Sequence, residues 1–129
     1  MAIERANPAT LADMSGYSHV VKDGTTVYVA GQLARNSDGE TIGEGSFEAQ
    51  AEQCFKNVQE ALESAGSNMS SILKMNVFMT QREDIPVYRE IKTRFVPDNA
   101  QPVSTLILCS GLADPVFRTE VEVIGRVSE

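Results

Sequence analysis

The stretch Pro102-Val103-Ser104-Thr105-Leu106-Ile107-Leu108-Cys109-Ser110-Gly111-Leu112 decides how this chain folds. Ser104 to Ser110 reads as a β-strand that is apolar on both faces. Leu106 and Leu108 point one way, and Ile107 and Cys109 the other. An antiparallel sheet with one face in water carries polar residues at every second position. Both faces of this strand therefore need covering, and the rest of the sequence has to supply the covers.

Working back along the chain, two helices present themselves. Ala51, Cys54, Phe55, Val58, Ala61, Leu62 and Ala65 recur at the spacing of one apolar helical stripe. Ser46 suits its N-cap, Glu48 the positive N-terminal end, and Gly66 the left-handed position beyond the C-terminus. A second helix is expected to be capped by Asp84, to carry the stripe Val87, Tyr88, Ile91 and Phe95, and to end at Pro97. Strands are expected over 18–22, 25–32, 72–80, 104–110 and 117–127. Asp23-Gly24 marks a tight hairpin between the first two. In the third, Leu73, Met75, Val77 and Met79 fall on one side.

The order β-β-α-β-α-β-β predicts an α+β fold, a single sheet with two helices packed on one face, in one domain over residues 1–129. The helices leave the other sheet face bare. The simplest cover is another copy of the same sheet, so a homo-oligomer is expected.

Charge and composition narrow the function. Lys and Arg number 11 against 18 Asp and Glu, a net charge of −7. Nucleic-acid backbones are bound through clustered Lys and Arg, so no nucleic-acid partner is expected. A single His leaves no acid–base His pair for ribonuclease chemistry and no His-rich metal site, and no Cys-x-x-Cys pair exists. No apolar run approaches a membrane span of about 18 residues, and residues 1–10 do not read as a signal peptide. With Cys54 and Cys109 read as reduced thiols, a cytoplasmic location is expected.

Several segments resemble one family. Besides the opening stretch with Val121-Glu122-Val123, these are Gly16-Tyr17-Ser18-His19, Val27-Tyr28-Val29-Ala30-Gly31-Gln32, Gln50, the helix end Asn57 to Gly66, and the strand Lys74 to Thr80. Together they are similar to the reactive-intermediate deaminases, RidA or YjgF. The resemblance implies a chorismate-mutase-like homotrimer with a central barrel and a small-molecule cleft between subunits. It also implies hydrolysis of enamines and imines to keto acids and ammonia, with no metal or organic cofactor.

Carried over residue by residue, Tyr17 matches a cleft tyrosine and Gly31 a glycine whose backbone meets the ligand. Glu122 matches the acid that positions water or relays a proton, so Glu122 and Tyr17 are the catalytic candidates. Ser104 falls where the family has a carboxylate-gripping arginine, and Leu106 where relatives often have cysteine. A shifted register puts Val103 at the arginine position instead. Neither register supplies a guanidinium, whose paired charge-assisted hydrogen bonds suit a carboxylate.

Arg89, on the second helix, is the preferred substitute cation. Arg118 and Arg35 are alternatives, Arg118 beginning the last strand and sharing a face with Glu120 and Glu122 by period-two alternation, and Arg35 following the Gly31 turn. The expectation is a deaminase-like hydrolase with a non-standard substrate, held by Gly31, Ser104 and Arg89. The alternative is a non-catalytic trimer of the same fold that binds a small ligand or regulates.

Overall fold

Helix α1, Phe47–Ser64, begins where Ser46 turns the chain, its hydroxyl accepting from the Ala49 N–H at 3.2 Å. Gly66 at φ 82° ends it. Its apolar stripe is buried as the spacing predicts, from Ala51 to Leu62. Helix α2, Ile85–Phe95, admits Pro86 in its first turn, where no intrahelical donor is lost. It buries Tyr88 and Ile91. Phe55 of α1 stacks between Tyr88 and Phe95 at 6.1 and 5.4 Å, which locks the helices together.

The computed structural model describes residues 2–128. Its strands are β1 (Ile3–Ala6), β2 (Val20–Asp23), β3 (Thr26–Gln32), β4 (Ile72–Met79), β5 (Val103–Leu108) and β6 (Thr119–Arg126), in the sheet order β1-β2-β3-β6-β4-β5. All neighbours are antiparallel except β4 and β5. The fold is the expected α+β arrangement, one sheet with two helices.

Val27, Val29, Met75, Val77, Met79, Val121 and Val123 form the buried inner face against α1 and α2. Leu106 and Leu108 join that core, while Ile107 and Val103 alternate to the far face and stand 40% and 67% exposed. Tyr28 is exposed there as well.

Four expectations need correction. A sixth strand, β1, pairs with β2; its residues Ile3, Glu4, Arg5 and Ala6 are all exposed, so it has no apolar alternation to betray it. Leu73 is half exposed, because a bulge against β6 between Ile72 and Lys74 turns Ile72 into the core in its place. Val87 lies outside the buried stripe of α2. Asp84 makes no capping bond; both of its carboxylate oxygens instead accept from Arg118 Nη2 at 2.6 Å.

Candidate functional site

The second irregularity of the sheet lies where β3 leaves β6. Val29 faces Val123 but Gln32 faces Val121, so Ala30 and Gly31 together oppose Glu122. Such a bulge bends the strand and re-aims its neighbours. Here it brings the Gly31 backbone against the side chain of Glu120. A Cβ on Gly31 would stand 2.8 Å from the Glu120 Cδ and 3.1 Å from its Cγ. Gly31 has no positive φ, so glycine is needed here for the approach of Glu120 and not for the backbone angle.

Tyr17 borders a small pocket with Gly31, Gln32, His19 and Arg35. Its ring meets the His19 ring edge-on at 5.6 Å. His19 is buried, with Nε2 2.6 Å from the Ala12 carbonyl and Nδ1 3.2 Å from the Gln32 amide nitrogen. That pairing fits a neutral ring donating through Nε2 and accepting through Nδ1. His19 thus packs edge-on against the Tyr17 ring while its own nitrogens are satisfied by Ala12 and Gln32.

Two buried amides on α1 hold the flanking segments. Asn57 donates to the Leu33 and Arg35 carbonyls at 3.0 and 2.9 Å. Gln50 donates to the Val116 carbonyl and accepts from the Arg118 N–H.

The electrostatics single out Glu120. Burial, and then the charge of Glu122 two residues on, push its pKa above the ordinary glutamate value. Burial likewise raises Tyr17, with nearby Arg35 opposing the shift and Glu120 adding to it. A carboxyl whose pKa is raised holds a proton more readily and is better suited to taking and returning one.

Of the sequence-predicted residues, Tyr17 and Gly31 are brought together. Glu122 is beside them but faces a different space. It accepts from Asn76 Nδ2 at 3.2 Å and lines an open groove of about 340 Å³ with Tyr28 and Lys74 on the bare sheet face. Glu120, which sequence reading passed over as the acid, is the carboxylate in contact with Gly31. Alternation along Glu120-Val121-Glu122 puts both acids on one face, and only the bulge distinguishes them.

Ser104 and Arg89 share a second pocket, also about 340 Å³, with Tyr88 and Lys92. Within one protomer this pocket does not join the first. Ser104 pairs with core-facing Met75 and so lies on the helix side of the sheet. Glu120 pairs with Phe78, one step out of phase, and lies on the other side.

The two alternative cations are otherwise engaged. Arg118 leaves the face of Glu120 for Asp84 and lies over the Phe47 ring at 5.7 Å, because β6 and its alternation begin only at Thr119. Arg35 lies over Phe117 at 4.9 Å, its buried Nε without a hydrogen-bond partner. Among the described residues no group of three or more His, Cys, Asp or Glu is placed to hold a metal ion. Likewise, no helix among them is long and apolar enough to cross a membrane.

A family model described as Endoribonuclease L-PSP matches residues 7–127. The chain belongs to this family. It is the RidA/YjgF family that the sequence motifs resemble, and the solved RidA of the Antarctic bacterium Psychrobacter sp. PAMC 21119 superposes with a TM-score of 0.88 at 28% identity, over 96% of this chain and 99% of that one. A 2-iminobutanoate/2-iminopropanoate deaminase from Dermatophagoides farinae is 27% identical over 92% of this chain and 89% of its own length. A protein from Lactococcus lactis named as a regulator, AldR, is 32% identical over 78% of this chain and 79% of its own.

Proposed function

We propose that this RidA/YjgF-family chain is a single-domain, cytoplasmic, cofactor-independent hydrolase of the C=N bond of imines, with enamines entering as their imine tautomers, working as a homotrimer. The similarity to an imine deaminase supports the reaction class. The observation that carries the reading is the Glu120 carboxyl held against Gly31 beside Tyr17, with its pKa raised.

In this reading water adds to the imine carbon while its proton passes to the Glu120 carboxylate. The same carboxyl returns the proton to nitrogen, and the carbinolamine collapses to a carbonyl and ammonia. Tyr17 orients the substrate and Glu122 raises the basicity of its neighbour. Both acids belong to the catalytic set in place of Glu122 alone.

The substrate's anionic end needs the second pocket, where Ser104 and Arg89 lie. Because Glu120 and Ser104 lie on opposite sides of one sheet, the cleft is completed by a second copy. Exposed Tyr28, Val103 and Ile107 on the bare sheet face favour such an assembly. The net charge of −7 argues against the nuclease activity in the family's description.

The test is an imine-generating assay coupled to an amino-acid oxidase, run with the intact protein and with Glu120→Gln. Accelerated keto-acid release that falls about 10²-fold or more in the variant is expected. No acceleration across mono- and dicarboxylate imines would sink the proposal. The second reading, a ligand-binding regulator without turnover, draws on the missing strand guanidinium and on the similarity to AldR. It predicts that Glu120→Gln leaves cellular activity intact.

A further inference from the structure

We infer that the pocket around Ser104 is built for a doubly negative end group, so that the chain's substrates are dianionic. This rests on the C=N reading above for the chemistry, but not for the binding. Arg89 and Lys92 are three residues apart on α2, on one face of the helix. Beside them Tyr88, Gln101 and Ser104 carry donor groups, whereas the Thr93 hydroxyl already donates to the Glu90 carbonyl, and no carboxylate of the same protomer lines the space.

Several other cations of this acidic chain are paired, though Arg5, Arg35, Lys74 and Arg82 also have no ion pair among the described residues. Lys22, Lys56 and Arg118 each have a carboxylate partner, and Arg94, on the same helix, meets Glu48, Glu52 and Glu90. Arg89 and Lys92 have no ion pair among the described residues. One carboxylate placed between them would leave a positive charge uncompensated, and two negative charges would not.

The hydroxyls fit the same purpose. Tyr88 is buried, and its pKa is pushed up to about 12, chiefly by that burial, so it stays protonated as a donor. Its present acceptor is the Met75 sulfur at 3.8 Å, a weak one that an anion would displace. A space of about 340 Å³ is in the range of small-molecule sites. The dianion can be a dicarboxylate or a phosphate ester, which share this chemistry.

Binding to the assembled protein should be measured by calorimetry at low salt with succinate, methyl phosphate and propionate. Succinate, methyl phosphate or both are expected to bind about ten-fold tighter than propionate, an advantage that shrinks as salt is added. The better dianion identifies the source.

Lys92→Gln should remove most of that advantage while propionate affinity changes less than about three-fold, and Lys92→Arg should restore it. Arg89→Gln should weaken both classes. Equal affinity for all three probes, no binding of any, or an undiminished dianion advantage in folded Lys92→Gln would each overturn the inference. Dianion preference without imine turnover would instead remove the catalytic reading and leave this one standing. Turnover limited to monocarboxylate imines would do the reverse.

Discussion

Replacing Gly31 by alanine probes the centre of the site with little disturbance elsewhere. The new Cβ would lie 2.8 Å from Glu120 Cδ, where carbon atoms prefer about 3.5–4.0 Å. The flexible carboxyl end must therefore withdraw by about 1 Å. An off-rotamer side chain costs about 0.5–1.5 kcal/mol. Against this, alanine stiffens the unfolded chain by about 0.4–1 kcal/mol at a position whose backbone tolerates it. The two nearly cancel, so Tm should change by no more than a few degrees. A 1 Å misplacement of a reacting group costs about 10²-fold in rate. The expected result is a folded Gly31→Ala protein with normal assembly and kcat/KM lowered about 100-fold in the coupled imine assay. A folded variant with unchanged kcat/KM would refute the assignment of Glu120 as the proton-transferring group.

Glu122→Gln removes the negative charge that helps to raise the Glu120 pKa. Glu120 should then ionise more readily, and the acid limb of the kcat/KM profile should move to lower pH; an unmoved limb would place the titrating group elsewhere. Because that pKa is raised on folding, Glu120 destabilises the fold relative to acid as pH climbs through it. Urea midpoints should show a smaller loss over that window in Glu120→Gln. Asp84→Ala leaves the Arg118 guanidinium, about a third exposed, without its partner. It should cost about 2 kcal/mol, lowering Tm by roughly 6–10 °C in thermal melts, whereas an unaltered Tm would mean the pair contributes little. Ser104→Arg should speed hydrolysis of 2-aminoacrylate-type imines about ten-fold or more. Unchanged rates in a folded variant would show that the cleft has diverged beyond this one side chain.

The helices were legible because their stripes are long and their ends are marked by Ser46, Gly66 and Pro97. The central strands were legible through Val, Ile and Met alternation. Strand β1 was not, since Ile3-Glu4-Arg5-Ala6 is held by backbone pairing with β2 and buries none of its side chains. Leu73 followed the alternation on paper, but the extra residue in β4 shifted its phase.

The site shows the same limit. Tyr17 and Gly31 could be paired from motifs, and Arg89 with Ser104 from their places on α2 and β5. Choosing Glu120 over Glu122 required the bulge at Ala30 and Gly31, which no local pattern announces. Arg118 was placed on the face of the acids because the strand was expected from Phe117, whereas β6 begins at Thr119. Lys92 carried no motif, and its significance comes from the absence of a carboxylate nearby.

The Arg118–Asp84 pair has a consequence beyond the thermal melt. Arg118 stands two residues before Glu120, and Asp84 five residues before Arg89, so this short brace ties the carrier of the proton-moving acid to the carrier of the anion grip. If each crevice joins halves from two copies, the brace spans from one crevice to the next. A molecule settling into one would tug, through that strut, on the geometry awaiting its successor around the ring.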